Sequence, residues 1–149
     1  MLQARVHAQT FYLIARVQIE LRMLMEGALH PHGVTPMLYR LLSLINRYPQ
    51  SSSADLARLL NNSPQSANEL IGNLTRAGLI RKAPDASNRR ILRIELNDQG
   101  KAVLRQCEAI VDNLEAEYLD MFSPDELSAF RKALTAVGKR IQQKRDGEA

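Results

Sequence analysis

Three features of the 149-residue sequence predict a mainly α protein built as a winged helix-turn-helix between long N- and C-terminal helices. Apolar residues recur at helical spacing over most of the chain. The spacing switches to period two only once, at 91–96. Just before that switch, two short helical patterns flank Asn61-Asn62. The order divides the chain into residues 1–33, 34–97 and 98–149.

The first element spans 2–29. It contains no proline, and Leu2, Val6, Leu13, Val17, Leu21, Leu24 and Met25 fall at helical spacing. His30-Pro31-His32-Gly33 breaks it, because proline cannot continue the ladder and glycine accepts a left-handed conformation. Thr35-Pro36 reads as an N-cap followed by proline at the first helical position. The helix that follows places Leu38, Leu41, Leu42, Ile45 and Tyr48 on one face, and Pro49 with Ser51 to Ser53 ends it. Ser53 then caps a short helix with inner residues Leu56, Ala57, Leu59 and Leu60. Asn61-Asn62 makes a tight turn, since asparagine tolerates the left-handed region. Ser63-Pro64 opens another helix, Pro64 to Ala77, whose inner residues Ala67, Leu70, Ile71 and Leu74 are spaced i, i+3, i+4, i+7. Gly78 closes it.

Leu79 to Lys82 reads as extended, Pro84 to Asn88 as a turn-rich loop, and Ile91 to Leu96 as a strand. In that strand Leu92, Ile94 and Leu96 share one face, and Arg93 and Glu95 the other. The result is a β-hairpin with a basic tip. Asn97 caps a long helix over 98–121, striped by Val103, Cys107, Ile110, Leu114, Tyr118 and Met121. Ser123-Pro124-Asp125-Glu126 is a capping box, and the last helix carries Leu127, Phe130, Leu134, Val137 and Ile141 as a seam. The polar tail, Lys144 to Ala149, is expected to fray. The narrow stripes of the terminal helices need a partner that the rest of so short a chain cannot supply, so these are read as dimerisation helices.

Charge separates the three regions. The chain carries a formal +4, but residues 34–93 hold nine arginines and lysines against three acids, while 1–33 is near neutral and 94–149 is acidic. A basic middle suits a polyanion, although an arginine-rich surface that is merely solvated gives the same count. The longest uncharged stretch, Gly27 to Tyr39, holds two prolines, so no membrane-spanning helix is expected. No leader segment is expected at the N-terminus either. The single cysteine, Cys107, excludes an internal disulfide and suits a reducing, cytoplasmic setting.

In a helix-turn-helix the second helix enters the DNA major groove. Here that is Pro64 to Ala77, and with its cap Ser63 it presents Gln65, Ser66, Asn68, Glu69, Asn73 and Arg76 away from the core. Asparagine and glutamine pair with adenine, serine reaches phosphate or base, and glutamate accepts from cytosine. Taken alone such a face can simply be solvated. Its place between a turn and a basic hairpin favours recognition. From Arg76 to Arg93 there are six basic residues against Asp85, and Arg89-Arg90 at the hairpin tip can reach the neighbouring minor groove. No aromatic residue lies between 49 and 117, which argues against single-strand stacking.

The stretch Val34 to Lys101 resembles the MarR family of bacterial transcriptional regulators. The resemblance rests on Asp55-Leu56-Ala57-Arg58-Leu59-Leu60, Ser63, Leu70 to Leu74 and Ala77-Gly78-Leu79-Ile80-Arg81. Its most specific part is the wing, Asp85-Ala86-Ser87-Asn88-Arg89-Arg90, followed by Ile94 to Gly100. The resemblance implies a homodimer with interlocked terminal helices, two winged domains on a pseudo-palindromic operator, and control by a small aromatic or phenolic effector. There are three departures. Asn88 stands where the family has an aspartate paired to the arginine two residues on, here Arg90. Glu69 replaces a basic residue, and Asn97 replaces a threonine. Asn88 is expected to hydrogen-bond Arg90 without the charge-assisted component, and Glu69 leaves Arg76 as the recognition helix's only cation.

Candidates for the effector site are Arg16, beside the first stripe and able to meet a carboxylate, His32 at the helix break, and Tyr39. The plainer reading of each is a surface or interhelical residue. His30 and His32 lack identifiable partners for a metal, Cys107 reads as an inert buried thiol, and no cofactor is expected. No phosphate loop or catalytic set appears, so the chain is not read as an enzyme. The expected function is a dimeric repressor of transcription responsive to a ligand. The competing expectation, motivated by Glu69 and Asn88, is a winged-helix protein-interaction module that antagonises a related regulator.

Overall fold

A computed structural model describes residues 2–147 of the chain, with side chains over 9–147. Leu2 and Val6 of the first stripe, and Glu148 and Ala149 of the tail, have side chains outside the described residues. The elements are α1 (Leu2–Leu29), a 3-10 turn (His30–His32), α2 (Pro36–Arg47), α3 (Ser53–Leu60), α4 (Pro64–Arg76), β1 (Ile80–Pro84), β2 (Leu92–Leu96), α5 (Asp98–Tyr118) and α6 (Pro124–Gly147). They form two compact units, residues 1–110 and 111–149.

The core of the first unit is what the spacings dictate. Leu41, Leu42 and Ile45 of α2 meet Leu56, Ala57 and Leu60 of α3 and Ala67, Ile71 and Leu74 of α4, with Leu79, Ile80, Ile94, Leu96 and Leu104 closing the cluster. A smaller cluster of Leu29, Val34 and Cys107 seats the end of α1 against α2 and α5. Burial pushes the Cys107 thiol pKa up, which keeps it protonated and unreactive. Before that end, α1 is exposed along Phe11, Leu13, Val17 and Leu21.

Local chemistry sets most boundaries. The Thr35 hydroxyl accepts the Leu38 amide at 3.2 Å, and Ser63 accepts the Ser66 amide at 3.1 Å. Asn61 is left-handed at φ 57°, and Gly33 and Gly78 lie at φ 71° and 69°. The cap of α3 is Ser52, not Ser53. Asp55 stands three residues after Ser52, so the Ser52 hydroxyl accepts the Asp55 amide while the Asp55 carboxylate accepts the Ser52 amide at 2.9 Å. Ala77 caps α4 rather than ending it.

The hairpin pairs Ile80 with Leu96 through Pro84 with Leu92, so β1 starts one residue later than expected and runs on to Pro84. Of the expected inner face only Ile94 and Leu96 are buried, whereas Leu92 is 45% exposed because the ribbon has left the core by that point. A third segment was not foreseen. Gln50 donates to the Ile94 carbonyl at 3.1 Å, and Ile94 donates to that of Ser51 at 3.0 Å, with Gln50 at φ 68°. This bridge bolts the α2–α3 connection to β2.

In the second unit α5 ends at Tyr118, short of the expected 121. The last α-helical bond is Leu119 to Glu115, and the chain must turn before the non-helical cap Ser123. Met121 and Tyr118 are therefore exposed rather than on a buried stripe, as are Tyr48 and Leu59 in the first unit. Ser123 and Glu126 make the expected capping box. The rings of Phe122 and Phe130 stack at 5.5 Å, and Arg131 pairs with Glu115 at 2.5 Å. Instead of fraying at Lys144, α6 continues to Gly147. Its seam residues Phe130, Leu134, Val137 and Ile141 are exposed. Among the described residues no helix is long and apolar enough to cross a membrane.

Candidate nucleic-acid interface

The helix-turn-helix forms because α3 and α4 each bury one face against α2. That leaves the opposite face of α4 in solvent. Ser63, Gln65, Ser66, Asn68, Glu69, Asn73 and Arg76 are all exposed. They divide by what already engages them. The Ser63 and Ser66 hydroxyls bond to each other at 3.0 Å, so both belong to the cap. The Arg76 guanidinium turns back along the helix, donates to the Asn73 side-chain oxygen, and lies over Gly72, where a Cβ would stand 3.3 Å from it. Among the described residues no side-chain hydrogen bond holds Gln65, Asn68 or Glu69. A base edge would therefore meet two amides and a carboxylate already free to bond, and an arginine that must first leave Asn73.

The hairpin sorts its cations in the same way. Arg81 pairs across the strands with Glu95 at 2.5 Å. Arg93 pairs with Asp85 at 2.6 Å and lies 3.7 Å from Asp55. Lys82, Arg89 and Arg90 are exposed and, among the described residues, have no ion-pair partner. These three, with Arg76, whose partner Asn73 is neutral, present uncompensated charge to a polyanion, while Arg81 and Arg93 do not.

The loop between the strands is organised by Asp85, which belongs to the wing motif but has no role assigned to it by the sequence alone. One carboxylate oxygen accepts the Ser87 amide at 2.9 Å, the Ser87 hydroxyl at 2.6 Å and the Asn88 amide at 3.0 Å, while the other takes the Arg93 Nε–H. The Ser87 hydroxyl and then Arg93 hold the Asp85 carboxyl well below the ordinary carboxylate range, so the cluster is charged at neutral pH. Asn88 does not reach the Arg90 guanidinium as expected. Its side-chain oxygen accepts the Arg90 backbone amide at 3.2 Å, because a short side chain closes on the amide two residues on before it can meet an extended arginine. The Arg90 side chain is left exposed.

Asp55 also has a second role. Ser52 holds its carboxyl below the usual range, and besides capping α3 it pairs with Arg58 and faces Arg93. The Ser52-x-x-Asp55 spacing was the available signal for the cap. Nothing local signals its link to Arg93, thirty-eight residues on.

The effector candidates lie on separate elements. The Arg16 guanidinium sits 5.8 Å over the Tyr12 ring on α1, His32 is exposed in the 3-10 turn, and Tyr39 is half-buried on α2 against both core clusters. Among the described residues no group of three His, Cys, Asp or Glu side chains is placed to hold a metal ion.

This arrangement has close parallels. The sequence model of the MarR family matches residues 32–91. The HTH-type transcriptional repressor Rv2887 of Mycobacterium tuberculosis is 31% identical over 127 residues, covering 85% of this chain and 91% of that protein. The crystal structure of M. tuberculosis Rv2887 in complex with salicylic acid superposes with a TM-score of 0.69 at 30% identity, over 85% of this chain and 93% of that one. Streptococcus pneumoniae FabT in complex with DNA superposes with a TM-score of 0.77 over 92% and 98%, and at 15% identity it shares the fold alone.

Proposed function

The chain belongs to the MarR family, and from that premise we propose that it is a dimeric, ligand-responsive repressor of transcription that binds a pseudo-palindromic operator. The observation that carries the reading is the pairing of an open amide-rich face on α4 with a hairpin whose Lys82, Arg89 and Arg90 are unpaired among the described residues. In this reading residues 34–97 are the DNA-binding domain, and 1–33 and 98–149 supply the dimerisation helices. Gln65, Asn68, Glu69 and Asn73 read bases in the major groove, Ser63 and Ser66 meet phosphate, and Arg76 joins them on leaving Asn73. The Asn88-shaped tip carries Arg89 and Arg90 into the flanking minor groove. The exposed apolar stripe of α1 and seam of α6 support dimerisation, since monomers seldom leave such faces open. The protein works in the cytoplasm, catalyses no reaction and needs no cofactor.

The effector is a small aromatic acid bound near Arg16, His32 and Tyr39, a reading supported by the salicylic acid complex of the 30%-identical relative. Binding alters the separation of the two recognition helices, and half-sites about 34 Å apart tolerate little change in spacing. Anisotropy with a duplex from upstream of the protein's own coding sequence tests the reading. The expected result is tight binding that a scrambled duplex does not show, release by millimolar salicylate, and a rise in Tm with salicylate alone, worth about 2.7 kcal/mol at a hundredfold excess over Kd. No specific binding, together with co-purification of a related regulator, would instead favour the protein-interaction module.

A further inference from the structure

A two-stranded ribbon has little stability of its own, so the direction of its tip depends on what ties it to the rest of the domain. At the base that tie is the backbone bridge from Gln50 and Ser51 to Ile94. Beyond Ile94 the ribbon leaves the core: Ala83, Pro84 and Leu92 are exposed, and the half-buried Ile91 belongs to neither core cluster. One side chain takes over there. The Arg93 guanidinium grips Asp85 through Nε at 2.6 Å, faces the α3 capping carboxylate of Asp55 at 3.7 Å, and donates to the Gln50 carbonyl at 3.4 Å. Asp85 passes the restraint on to the amides of Ser87 and Asn88, and Asn88 passes it to the amide of Arg90. A continuous run of polar contacts thus joins the start of α3 to Arg90 in the tip turn, two residues before β2.

We propose that Arg93 is a positioning residue for DNA binding: it fixes the direction of Arg89 and Arg90 relative to the helix-turn-helix through Asp85 and Asp55, without itself serving as a phosphate contact. The proposal rests on the DNA-binding reading above and adds a residue that the family resemblance did not single out. It makes a prediction opposite in sign to simple electrostatics. Asp85→Asn removes a negative charge beside the path of a polyanion, which by charge alone tightens binding. Asparagine keeps the turn to Ser87 and Asn88 but loses the ion pair with Arg93, so positioning predicts weaker binding, by about tenfold.

The test is a cycle of Asp85→Asn, Arg93→Met and the double variant, measured by anisotropy on the same upstream duplex, with Arg93→Lys alongside. The expected result is that each single variant binds about tenfold more weakly, the double is no worse than either, and lysine restores part of the loss. Tighter binding by Asp85→Asn, or fully additive losses, would overturn the proposal, the latter marking Arg93 as a direct contact. A second readout separates this from failure of the DNA-binding reading itself. Amide hydrogen exchange at Ser87, Asn88 and Arg90 should quicken about tenfold in Arg93→Met whether or not any DNA binds. Unchanged exchange would sink the latch even if the wild-type protein binds its operator.

Discussion

Gly100→Ala lowers the stability of the winged domain by about 3 kcal/mol, enough to reduce Tm by roughly 10 °C. Gly100 is buried in the first turn of α5. A Cβ there would stand 2.1 Å from the Leu79 carbonyl oxygen and 3.1 Å from its carbonyl carbon. Those are backbone atoms and cannot swing aside. The carbonyl is also in use, since it accepts the Asn97 amide at 3.2 Å, while the Asn97 side chain caps Gly100 at 2.8 Å and reaches the Gly78 carbonyl at 2.8 Å. Moving α5 outward to admit a methyl group breaks this junction. Helix propensity alone gives the opposite sign, because alanine is better than glycine in a helix by about 1 kcal/mol. A melting curve of the variant decides between them, and an unchanged or raised Tm would refute the contact argument.

The second large effect concerns assembly. Leu134 and Val137 stand on the open seam of α6 at 43% and 40% exposure in the single chain. Placing glutamate at both leaves the isolated chain little disturbed but sets uncompensated charges in the proposed dimer core, at a cost of at least about 3 kcal/mol. The wild type is expected to sediment at twice 16.8 kDa and the variant at 16.8 kDa. Because each protomer then holds only one half-site, operator affinity should fall by more than about a hundredfold. A variant that remains a dimer would place the interface elsewhere.

What the sequence made legible was what neighbours in the chain decide. Thr35, Asn61, Ser63 and the Ser123–Glu126 box are set by residues within three or four positions. Helix spacing likewise named Leu41, Leu42, Ile45, Ile71 and Leu74 as core. The misreadings have equally physical causes. Ser52 and Ser53 are both good caps, and only the reciprocal bond to Asp55 distinguishes them. Leu92 fits the alternation of a half-buried strand, yet alternation does not say where a ribbon leaves the core. In the candidate site, the exposed positions of α4 were readable from period alone. Which of the six basic residues are paired was not, because the Arg81–Glu95 and Arg93–Asp55 contacts depend on strand register and on a bridge from the α2–α3 connection. Gly100 belonged to the motif carrying the family resemblance, but its reason, the Leu79 carbonyl, appears only in three dimensions.

The central claim is that unpaired wing cations, supported by an amide-rich recognition helix, bind the phosphates of a duplex as a dimer. Its most direct test is the salt dependence of binding to the upstream duplex for the wild type and Arg90→Ala. With Lys82, Arg89 and Arg90 on each of two wings, log K should fall linearly with log salt at a slope of about −5, and Arg90→Ala should make it shallower by about 2. A flat response, or an Arg90→Ala titration that overlies the wild type, would contradict the account.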